Sequence, residues 1–576
     1  MKRIFVPAAV LLLALVTGIA AAADAELEVL LSPKRKALRE NVEAHVGALG
    51  DRDAAALRRF APAAERAAAE ALQALGYYQG RIRSEVVEKG ERAVLRLVIE
   101  QGKPVRLRSV EIRVEGEATQ MKNFHQPASP LLRPGAVLNH GAYEDAKRLI
   151  RNQALRYGFF DGAFVEQSLA IDPPAGVADI RLVYRSGPRY RFGAIEFSGD
   201  TPFDDRMLQR LVPFKAGEGY DADRLGELNR ALVSTNYFSD VRVDAAPESA
   251  VERVIPVQVQ LQARKPRTLA AGLGYSTDVG PRLRGTWTRH WRGSQGHRLG
   301  ADFEFSSPRQ NLGTWYEIPL DPPLIESLRF STGYQMEDLV DTESERFTIG
   351  TQWQHQPEDD WQRIVSLRWE QENYRTGDDE GQSTLLLPGI GFSRLHSDNK
   401  VDPNRGYRLQ ADLTGASEAL LSDADLLHLN LQARGLITVG AGHRFLLRGQ
   451  LGGIATNSFE VIPPSLRFFT GGDQSVRGYG YQTLSPRDDE GERVGGRYLV
   501  VGSFEYQYPL LERWRLATFV DHGNAIDGFS DPLLTGVGIG VRWVSPVGPI
   551  RLDLAHALDE DEGSGFRIHF SMGPEL

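Results

Sequence analysis

Residues alternate between apolar and polar with a period of two from Arg267 almost to the end of the chain. The clearest example is the stretch 566–572. Its apolar face consists of Phe566, Ile568, Phe570 and Met572, and its polar face of Arg567, His569 and Ser571. This period is typical of β-strands whose two faces meet different surroundings. About 310 residues of such alternation are too many for one soluble sheet. We therefore expect strands with lipid on one face and water on the other.

The alternating region divides into sixteen runs of about 8 to 14 residues, each bounded by turn-forming residues. The runs begin near Arg267, Arg282, His297, Asn311, Ser327, Arg346, Trp361, Thr384, Gly406, Asp425, His443, Tyr498, Arg513, Thr535, Gly548 and Gly565. An even number of strands, with long loops alternating with short turns, is typical of bacterial outer-membrane barrels. Residues 265–576 are therefore predicted to form a 16-stranded transmembrane antiparallel β-barrel. A soluble β-sandwich is the alternative.

A short phrase with two adjacent aromatic residues recurs three times before the barrel region. The copies are Gly76-Tyr-Tyr-Gln-Gly80, Gly158-Phe-Phe-Asp-Gly162 and Asn236-Tyr-Phe-Ser-Asp240, which are 82 and 78 residues apart. Each copy follows a helical pattern and precedes alternating strand residues. We predict three α+β domains, at residues 24–104, 105–188 and 189–264, each with the order strand, helices, strand, strand. Their sheet edges could accept an added strand from a peptide. Alternatively, the edges are capped and the domains are spacers.

The N-terminus has the pattern of a secretory signal. Lys2 and Arg3 precede an apolar run that ends in the small residues 20–23, which predicts a signal peptide over residues 1–23. A membrane anchor is the alternative. No later stretch reaches the roughly 18 consecutive apolar residues of a spanning helix. Cysteine is absent, and the net charge of -9 argues against a nucleic-acid partner. The histidines lack the spacing of a metal site, so we expect no metal and no cofactor.

A connection of about forty residues separates the eleventh and twelfth predicted strands, which is unusually long. It contains Val476, Arg477, Gly478 and Tyr479, and the arginine is the only fixed charge among small and aromatic neighbours. Alternation places Glu505, Phe519 and Asp521 on the inner faces of the next two strands. Because a buried arginine needs partners, we predict that the loop folds into the barrel and that Arg477 bridges the two carboxylates. The alternative is an exposed turn whose arginine meets water.

The repeated units and the long loop together resemble the outer-membrane β-barrel insertase superfamily, whose periplasmic modules are called POTRA domains. The resemblance rests on Val476-Arg-Gly-Tyr479, on Phe519-Val-Asp-His-Gly523 and on the stretch 536–554. It implies that Phe519, Asp521 and Gly523 serve the loop arginine from the barrel wall. It also implies that the three N-terminal domains bind unfolded clients or partner proteins in the periplasm.

The chain resembles the translocation and assembly module branch of that superfamily. The resemblance rests on the number of POTRA-like units, on the stretch 466–473 and on the ending 570–576. This resemblance implies a TamB-like inner-membrane-anchored partner and clients that are unfolded β-barrel proteins or autotransporters. It further implies a bacterial outer-membrane location, with lipid around the barrel and the N-terminal domains in the periplasm. The chain departs from the usual pattern at its end, because six residues follow Phe570, whereas barrel signals usually finish on an aromatic residue.

The first and last predicted strands are poorly suited to pair with each other. The seam residues are Leu269, Gly272 and Gly274 on the first strand and Phe566, Ile568 and Phe570 on the last. Glycines weaken a strand interior, and the last strand is short. We expect a seam of only about four hydrogen bonds, each worth roughly 1 kcal/mol net. Such a lateral seam could open thermally and offer the edge of the first strand to an incoming barrel protein.

Three other functions fit parts of the sequence. Phospholipid passage along a bridge built with a TamB-like partner fits the same features as protein insertion. A two-partner-secretion channel is disfavoured because that class usually has two POTRA domains and a plug helix. An enzyme that pairs His522 with Asp521 is disfavoured because neighbours in a strand point to opposite faces. The glycine run 536–540 imitates a nucleotide-binding fingerprint but lacks the helix that must follow it.

Overall fold

A computed structural model describes residues 25–89, 92–339, 341–358, 360–377, 379–545, 548–559 and 565–572. The predicted signal peptide, residues 1–23, lies outside these ranges. The chain divides into two compact units. The first contains Met1–Ala194, Ala216–Asp223 and Ala245–Pro256, and the second contains Ile195–Lys215, Arg224–Asp244 and Val257–Leu576. The predicted domain boundaries at residues 104, 188 and 264 stay predictions.

Three small α+β units precede the barrel in the chain, in the predicted order of strand, helices, strand and strand, except that the second unit has one α-helix and a short 3₁₀ helix, Glu117–Gln120. The first comprises β1 (Glu26–Ser32), α1 (Lys36–Val46), α2 (Ala54–Ala74), β2 (Arg81–Lys89) and β3 (Arg92–Glu100). The second comprises β4 (Arg106–Glu115), α3 (His140–Arg156), β5 (Ala163–Asp172) and β6 (Val177–Arg185). The third comprises β7 (Arg191–Ser198), α4 (Asp205–Gln209), α5 (Ala222–Ser234), β8 (Phe238–Asp244) and β9 (Val254–Ala263). The strand orders are β1-β3-β2, β4-β6-β5 and β7-β9-β8, so the last strand of each unit is central.

The repeated aromatic phrase ends the helix that precedes it. Its first residue has a positive φ in all three copies: 86° at Gly76, 81° at Gly158 and 58° at Asn236. Glycine and asparagine tolerate this left-handed conformation, which commonly terminates helices. The aromatic residue that follows is buried in each copy. Each phrase therefore stops a helix and anchors the chain in the core before the next strand. Over the described residues, no helix has the length and apolar character needed to cross a membrane.

Sixteen antiparallel strands form the second part of the chain, each paired with its neighbour in sequence. They are β10 (Arg267–Ser276), β11 (Gly280–Arg292), β12 (His297–Ser306), β13 (Arg309–Pro319), β14 (Glu326–Leu339), β15 (Thr342–His355), β16 (Gln362–Thr376), β17 (Asp379–Ser397), β18 (Arg405–Ala416), β19 (Leu426–Val439), β20 (His443–Thr456), β21 (Tyr498–Leu511), β22 (Trp514–Ile526), β23 (Leu534–Ser545), β24 (Gly548–Ala557) and β25 (Phe566–Met572). The predicted count of sixteen is confirmed. The largest disagreement in a starting residue is at β17, which begins at Asp379 rather than near Thr384.

The two faces of the barrel strands differ as the alternation requires. On β21, Phe504 is 42% exposed while the adjacent Glu505 is 5% exposed. On β22, Val520 is 40% exposed while Asp521 is fully buried. Exposed apolar side chains thus line the outside, and polar side chains face the lumen, as in barrels with a water-filled interior.

One short connection also reaches into the barrel. Asp402 lies in the turn between β17 and β18 and accepts hydrogen bonds from Arg444 at 2.9 Å and from Arg515 at 3.0 Å. Arg444 is the second residue of β20 and Arg515 is the second residue of β22, and the Arg444 side chain is fully buried. The turn therefore ties together strands that are not neighbours in the sheet, at the end of the barrel opposite the long loop.

Candidate functional site

The long loop, residues 457–497 between β20 and β21, folds into the barrel lumen. Val476, Arg477 and Tyr479 are each 2% exposed or less. Val476 and Tyr479 join a buried apolar cluster with loop residues Phe468 and Leu484 and with residues of the barrel wall. Burial of these apolar side chains holds the loop inside, and it brings the Arg477 guanidinium to a fixed position against the wall.

Arg477 binds both carboxylates that the strand alternation directed inward. Its Nε donates to Asp521 Oδ2 at 2.7 Å and its Nη2 to Asp521 Oδ1 at 3.0 Å, a two-pronged bond. Its backbone N–H also donates to Asp521 Oδ2, at 3.1 Å. Nη1 donates to Glu505 Oε2 at 2.8 Å. Charge-assisted, two-pronged bonds of this kind are among the strongest hydrogen bonds in proteins.

Strands β23 and β24 add a second arginine and a third carboxylate. Arg477 Nη1 lies 3.2 Å from Asp553 Oδ2. Arg542 donates to Glu505 through Nε and Nη2, both at 2.9 Å, and to Asp553 through Nη1 at 2.6 Å. Both arginines and all three carboxylates are almost fully buried. We call the set Arg477, Arg542, Glu505, Asp521 and Asp553 the lumen cluster.

The charge of the lumen cluster is balanced by one further arginine. Arg448 on β20 lies 3.6 Å from Asp521 and donates to Ser503 at 2.9 Å. Ser503 in turn donates to Asp521 at 2.5 Å. With Arg448 counted, three positive and three negative side chains meet, which is the arrangement that buried charges require.

Flat and small side chains make room for the loop arginine. The Arg477 guanidinium carbon lies 3.3 Å from the centre of the Phe519 ring, a close cation–π contact. A Cβ atom added at Gly536 would lie 1.8 Å from the Arg477 carbonyl oxygen, and one at Gly540 would lie 1.8 Å from Asp553 Oδ1. The glycine run that imitates a nucleotide-binding fingerprint therefore serves close packing. Because these glycines have no side chains, the loop backbone and the Asp553 carboxylate can lie close to the inner face of β23.

The loop also touches the last strands of the barrel. The Gly478 backbone N–H donates to His569 Nε2 on β25 at 2.9 Å. The Tyr479 hydroxyl donates to the Thr535 carbonyl at 3.1 Å and to Asp559 at 2.9 Å. All four residues of the predicted loop motif are thus buried against the wall formed by β21 to β25, and one of them bonds directly to the last strand.

Strands β10 and β25 are the two ends of the strand order, and they meet at a short seam. The Thr277 backbone N–H donates to the Phe570 carbonyl at 3.3 Å, and the Phe570 N–H donates to Thr277 Oγ1 at 3.1 Å. Over the described residues this is the only backbone–backbone bond between these two ends of the sheet, and the expected seam of about four bonds stays a prediction. One such bond contributes roughly 1 kcal/mol net.

The two bonds at Thr277 also fix the register of this seam. Because the strands are antiparallel, pairing Thr277 with Phe570 sets Tyr275 opposite Met572, the last described residue of β25. The predicted seam residues Leu269, Gly272 and Gly274 therefore lie beyond that end. Leu269 is 76% exposed. On β25, Phe566 and Ile568 are 74% and 60% exposed. Most of the β10 edge is consequently unpaired by any residue that the structure describes.

Two residues of the motif Phe519–Gly523 lie apart from the lumen cluster. Gly523 pairs with Val501 on β21, and a Cβ there would lie 2.3 Å from the Val500 carbonyl oxygen. Its role is close strand packing, and no bond joins it to Arg477 in the described part of the chain. His522 is exposed on the outer face and bonds Thr535, so it does not meet the adjacent Asp521. The described residues also contain no group of three acidic or histidine side chains able to hold a metal.

Sequence reasoning overlooked Arg542, Asp553 and His569 as partners of the loop. The signal was available for all three, since Arg542, Asp553 and His569 fall on the polar faces of β23, β24 and β25. Alternation predicts whether a side chain points into the lumen or outward, but it does not predict the position of that side chain along the barrel axis. It therefore gave no reason to prefer these side chains over the other inward polar residues.

A second contact of the loop involves a pair of acids. Asp278, in the turn between β10 and β11, accepts a hydrogen bond from the Asp473 backbone N–H at 2.8 Å. Gly472 has a φ of 101°, and a Cβ there would lie 2.6 Å from Asp278 Oδ2. Only glycine admits the Asp278 carboxylate so closely to the loop backbone. Burial, together with the nearby Asp473 carboxylate, raises the pKa of Asp278 to about 8.

We expect the contact between the loop and this turn to weaken as the pH rises. The Asp278 pKa in the docked state lies above its ordinary value of 3.8, so the docked state holds a proton that the undocked state releases. The contribution is fully present below about pH 4 and is lost as the pH rises through about 8. Within this window the docking equilibrium changes by at most about tenfold per pH unit. Spin labels on the turn and the loop would report the separation in the full chain.

Asp278→Asn should abolish this pH dependence, because an amide mimics the protonated acid at every pH. Asp489→Asn, at the exposed tip of the same loop, is the matched control and should retain it. A label separation in the unmodified protein that stays constant from pH 5 to 9 would contradict the prediction.

A sixteen-stranded barrel with an arginine loop fixed in its lumen, preceded by three small α+β units, defines an outer-membrane barrel protein with POTRA domains. Sequence profiles agree. The Omp85 superfamily domain matches residues 265–575, a POTRA domain described as TamA domain 1 matches 28–101, and a POTRA profile described as a surface antigen variable number repeat matches 190–262. The chain belongs to the Omp85 superfamily. Its barrel lies in the bacterial outer membrane and its N-terminal domains lie in the periplasm.

The chain is similar to curated proteins named outer membrane protein assembly factor BamA. It is 24% identical over 432 residues to the one from Nitratidesulfovibrio vulgaris, which covers 69% of this chain and 53% of the relative. It is 22% identical to the one from Neisseria meningitidis serogroup B, which covers 86% of this chain and 70% of the relative. The chain thus spans about half the length of the first relative.

A solved structure shows the same fold. The crystal structure of BamA from Haemophilus ducreyi lacking POTRA domains 1-3 matches with a TM-score of 0.68 at 14% identity. The match covers 81% of this chain and 99% of that one. At this level of identity the likeness concerns the architecture alone.

Proposed function

We propose that this protein is a non-enzymatic assembly factor that helps other β-barrel proteins and autotransporters to insert into the outer membrane. The observation that carries the proposal is the edge of β10, which is exposed next to a seam with a single described backbone bond. An exposed strand edge offers a row of backbone donors and acceptors, and an extended segment can add to it without sequence-specific contacts. A client strand would pair with β10 while the barrel holds it at the lipid boundary.

The lumen cluster supports this mechanism by fixing one side of the seam. It ties the loop to β21 through β24, and Gly478 extends the link to β25. Strand β10 meets the loop at the Asp278 turn instead. With one side held by buried ion pairs and the other by a pH-sensitive contact, β10 is the strand that moves when the seam opens.

We further propose that the chain is a TamA-type subunit and works with a TamB-like protein anchored in the inner membrane. The match of the first sheet to the TamA-type POTRA profile, and the presence of three α+β units, support this assignment. In this proposal the POTRA domains contact the partner and receive unfolded clients. The predicted domain limits of 24–104, 105–188 and 189–264 describe these three modules.

Quantitative outer-membrane proteomics after deletion of this chain tests the proposal. We expect particular barrel proteins or autotransporters to be depleted, and we expect the unmodified chain, but not Arg477→Ala, to restore them. An unchanged barrel-protein profile with an altered distribution of phospholipids would favour lipid transport instead. Loss of one secreted protein with all barrels intact would favour a two-partner-secretion channel.

A further inference from the structure

A row of directly opposed residues crosses the lumen face of five neighbouring strands. It runs Arg408 on β18, Arg434 on β19, Arg448 on β20, Ser503 on β21 and Asp521 on β22. Directly opposed residues of antiparallel strands lie on the same face and only about 5 Å apart. Because Asp521 and Arg448 face the lumen, the other two arginines face it as well.

The charges along this row are not balanced. Arg448 is neutralised by Asp521, at 3.6 Å. Arg408 and Arg434 form no ion pair within the described ranges of the chain. Like charges directly opposite each other destabilise a sheet, and arginine does not lose its proton to relieve the repulsion. Two uncompensated positive charges therefore stand side by side in the lumen.

Within the described ranges, the carboxylates of the surrounding strands form no ion pair with Arg408 or Arg434. The acid on the inner face of β18 is Asp412, and it accepts a hydrogen bond from Gln410 at 2.8 Å. The other nearby carboxylates, Glu505 and those beside it, belong to the lumen cluster.

Neutral donors complete the site. On β18, β19 and β20, the inward-facing residues beside the three arginines are Gln410, Gln432 and Gln450. Gln432 is directly opposed to both Gln410 and Gln450. Their side-chain amides form a second row beside the arginines, and an amide supplies two N–H donors, of which Gln410 gives one to Asp412. Arg408 is exposed and Arg434 is partly exposed, so a ligand dissolved in the lumen reaches both.

We propose that Arg408 and Arg434 form a binding site in the barrel lumen for a phosphate-type oxyanion. The planar guanidinium group matches the oxygens of phosphate in a two-pronged geometry. A phosphate carries up to two negative charges and enough oxygens to accept from both arginines at once. It thus supplies the charge that the row lacks. The same chemistry is presented by a free phosphate ion and by the headgroup of a phospholipid.

The test uses the purified full chain in a non-ionic detergent, with inorganic phosphate as the probe. We expect phosphate to raise the thermal unfolding temperature in a saturable way, beyond the effect of sodium chloride at equal ionic strength. Arg434→Gln should weaken the apparent affinity for phosphate about tenfold, the typical loss for one charge-assisted hydrogen bond. Arg408→Gln should weaken the affinity for phosphate by the same factor, and it replaces Arg434→Gln in the test if that variant does not fold.

Arg368→Gln is the matched control. Arg368 also faces the lumen but is paired with Glu370 at 3.3 Å, so its loss should leave phosphate binding unchanged. The proposal is overturned if phosphate and chloride stabilise the unmodified protein equally, which would mean a general response to salt. It is also overturned if the Arg434 and Arg408 variants bind phosphate as well as the control.

A competition experiment identifies the source of the phosphate group. Short-chain phosphatidic acid, below its micelle concentration, is added to the phosphate-bound protein. Displacement at a concentration about tenfold below that of inorganic phosphate assigns the site to a lipid headgroup. Equal effectiveness assigns it to the free ion. In Arg434→Gln, binding of both the lipid and inorganic phosphate should be weakened. If this variant still binds either of them as the unmodified protein does, the proposed site is wrong.

Discussion

Arg477→Ala is expected to release the loop from the barrel wall at a cost of about 3–5 kcal/mol. The substitution removes four side-chain hydrogen bonds to Asp521, Glu505 and Asp553. It leaves three carboxylates facing only Arg542 and Arg448, so one buried negative charge is uncompensated. At 1.4 kcal/mol for each factor of ten, the population of released loop should rise between about a hundredfold and a few thousandfold.

Protease cleavage after Arg467 measures this release. In the docked loop Arg467 donates to the backbone carbonyls of Ile462, Val494 and Glu460, which shields the adjoining peptide bonds. We expect rapid cleavage in Arg477→Ala and an intermediate rate in Arg477→Lys, which keeps the charge but loses the two-pronged geometry.

Arg487→Ala is the control for this experiment. Arg487 belongs to the same loop, and its guanidinium donates to the Gly491 carbonyl within the outer part of that loop. Its substitution should leave cleavage after Arg467 nearly unchanged. Equal cleavage rates in Arg477→Ala and in the unmodified protein would show that apolar packing alone holds the loop.

A disulfide across the seam is expected to abolish assembly activity. The substitutions Thr277→Cys and Phe570→Cys introduce thiols at the two residues that share the backbone bond between β10 and β25. The chain has no cysteine of its own, so no other disulfide can form. The oxidised protein should fail to restore the depleted barrel proteins in the deletion strain, and a membrane-permeant reductant should restore function.

The same cross-link placed one strand away is the control. Leu273 and Leu283 are directly opposed on β10 and β11, and both are exposed on the outer face. Because those strands are already joined by a continuous ladder, a disulfide between Leu273→Cys and Leu283→Cys should leave activity intact. Full activity of the oxidised Thr277/Phe570 pair would reject the lateral seam as the route of insertion.

Much of the fold was predictable because its signals are local. Alternation with period two depends only on a residue and its near neighbours, and it identified sixteen strands and their inner faces. The repeated aromatic phrases identified three helix ends, since the left-handed residue and the buried aromatic that follows it are adjacent in sequence. The same reasoning put Glu505, Phe519 and Asp521 on the lumen side, where the structure has them within reach of Arg477.

The chemistry of the site required the closed barrel. Sequence alternation by itself determined which side chains face the lumen, because the pleat of a strand has a fixed period. Only the tertiary structure decided that Asp553 and Arg542 stand at the height of Arg477 and that β25 meets β10 at Thr277. Heights around a barrel depend on the accumulated stagger of all sixteen strands. This accumulated stagger is a property of the whole sheet, so no single stretch of the sequence determines it.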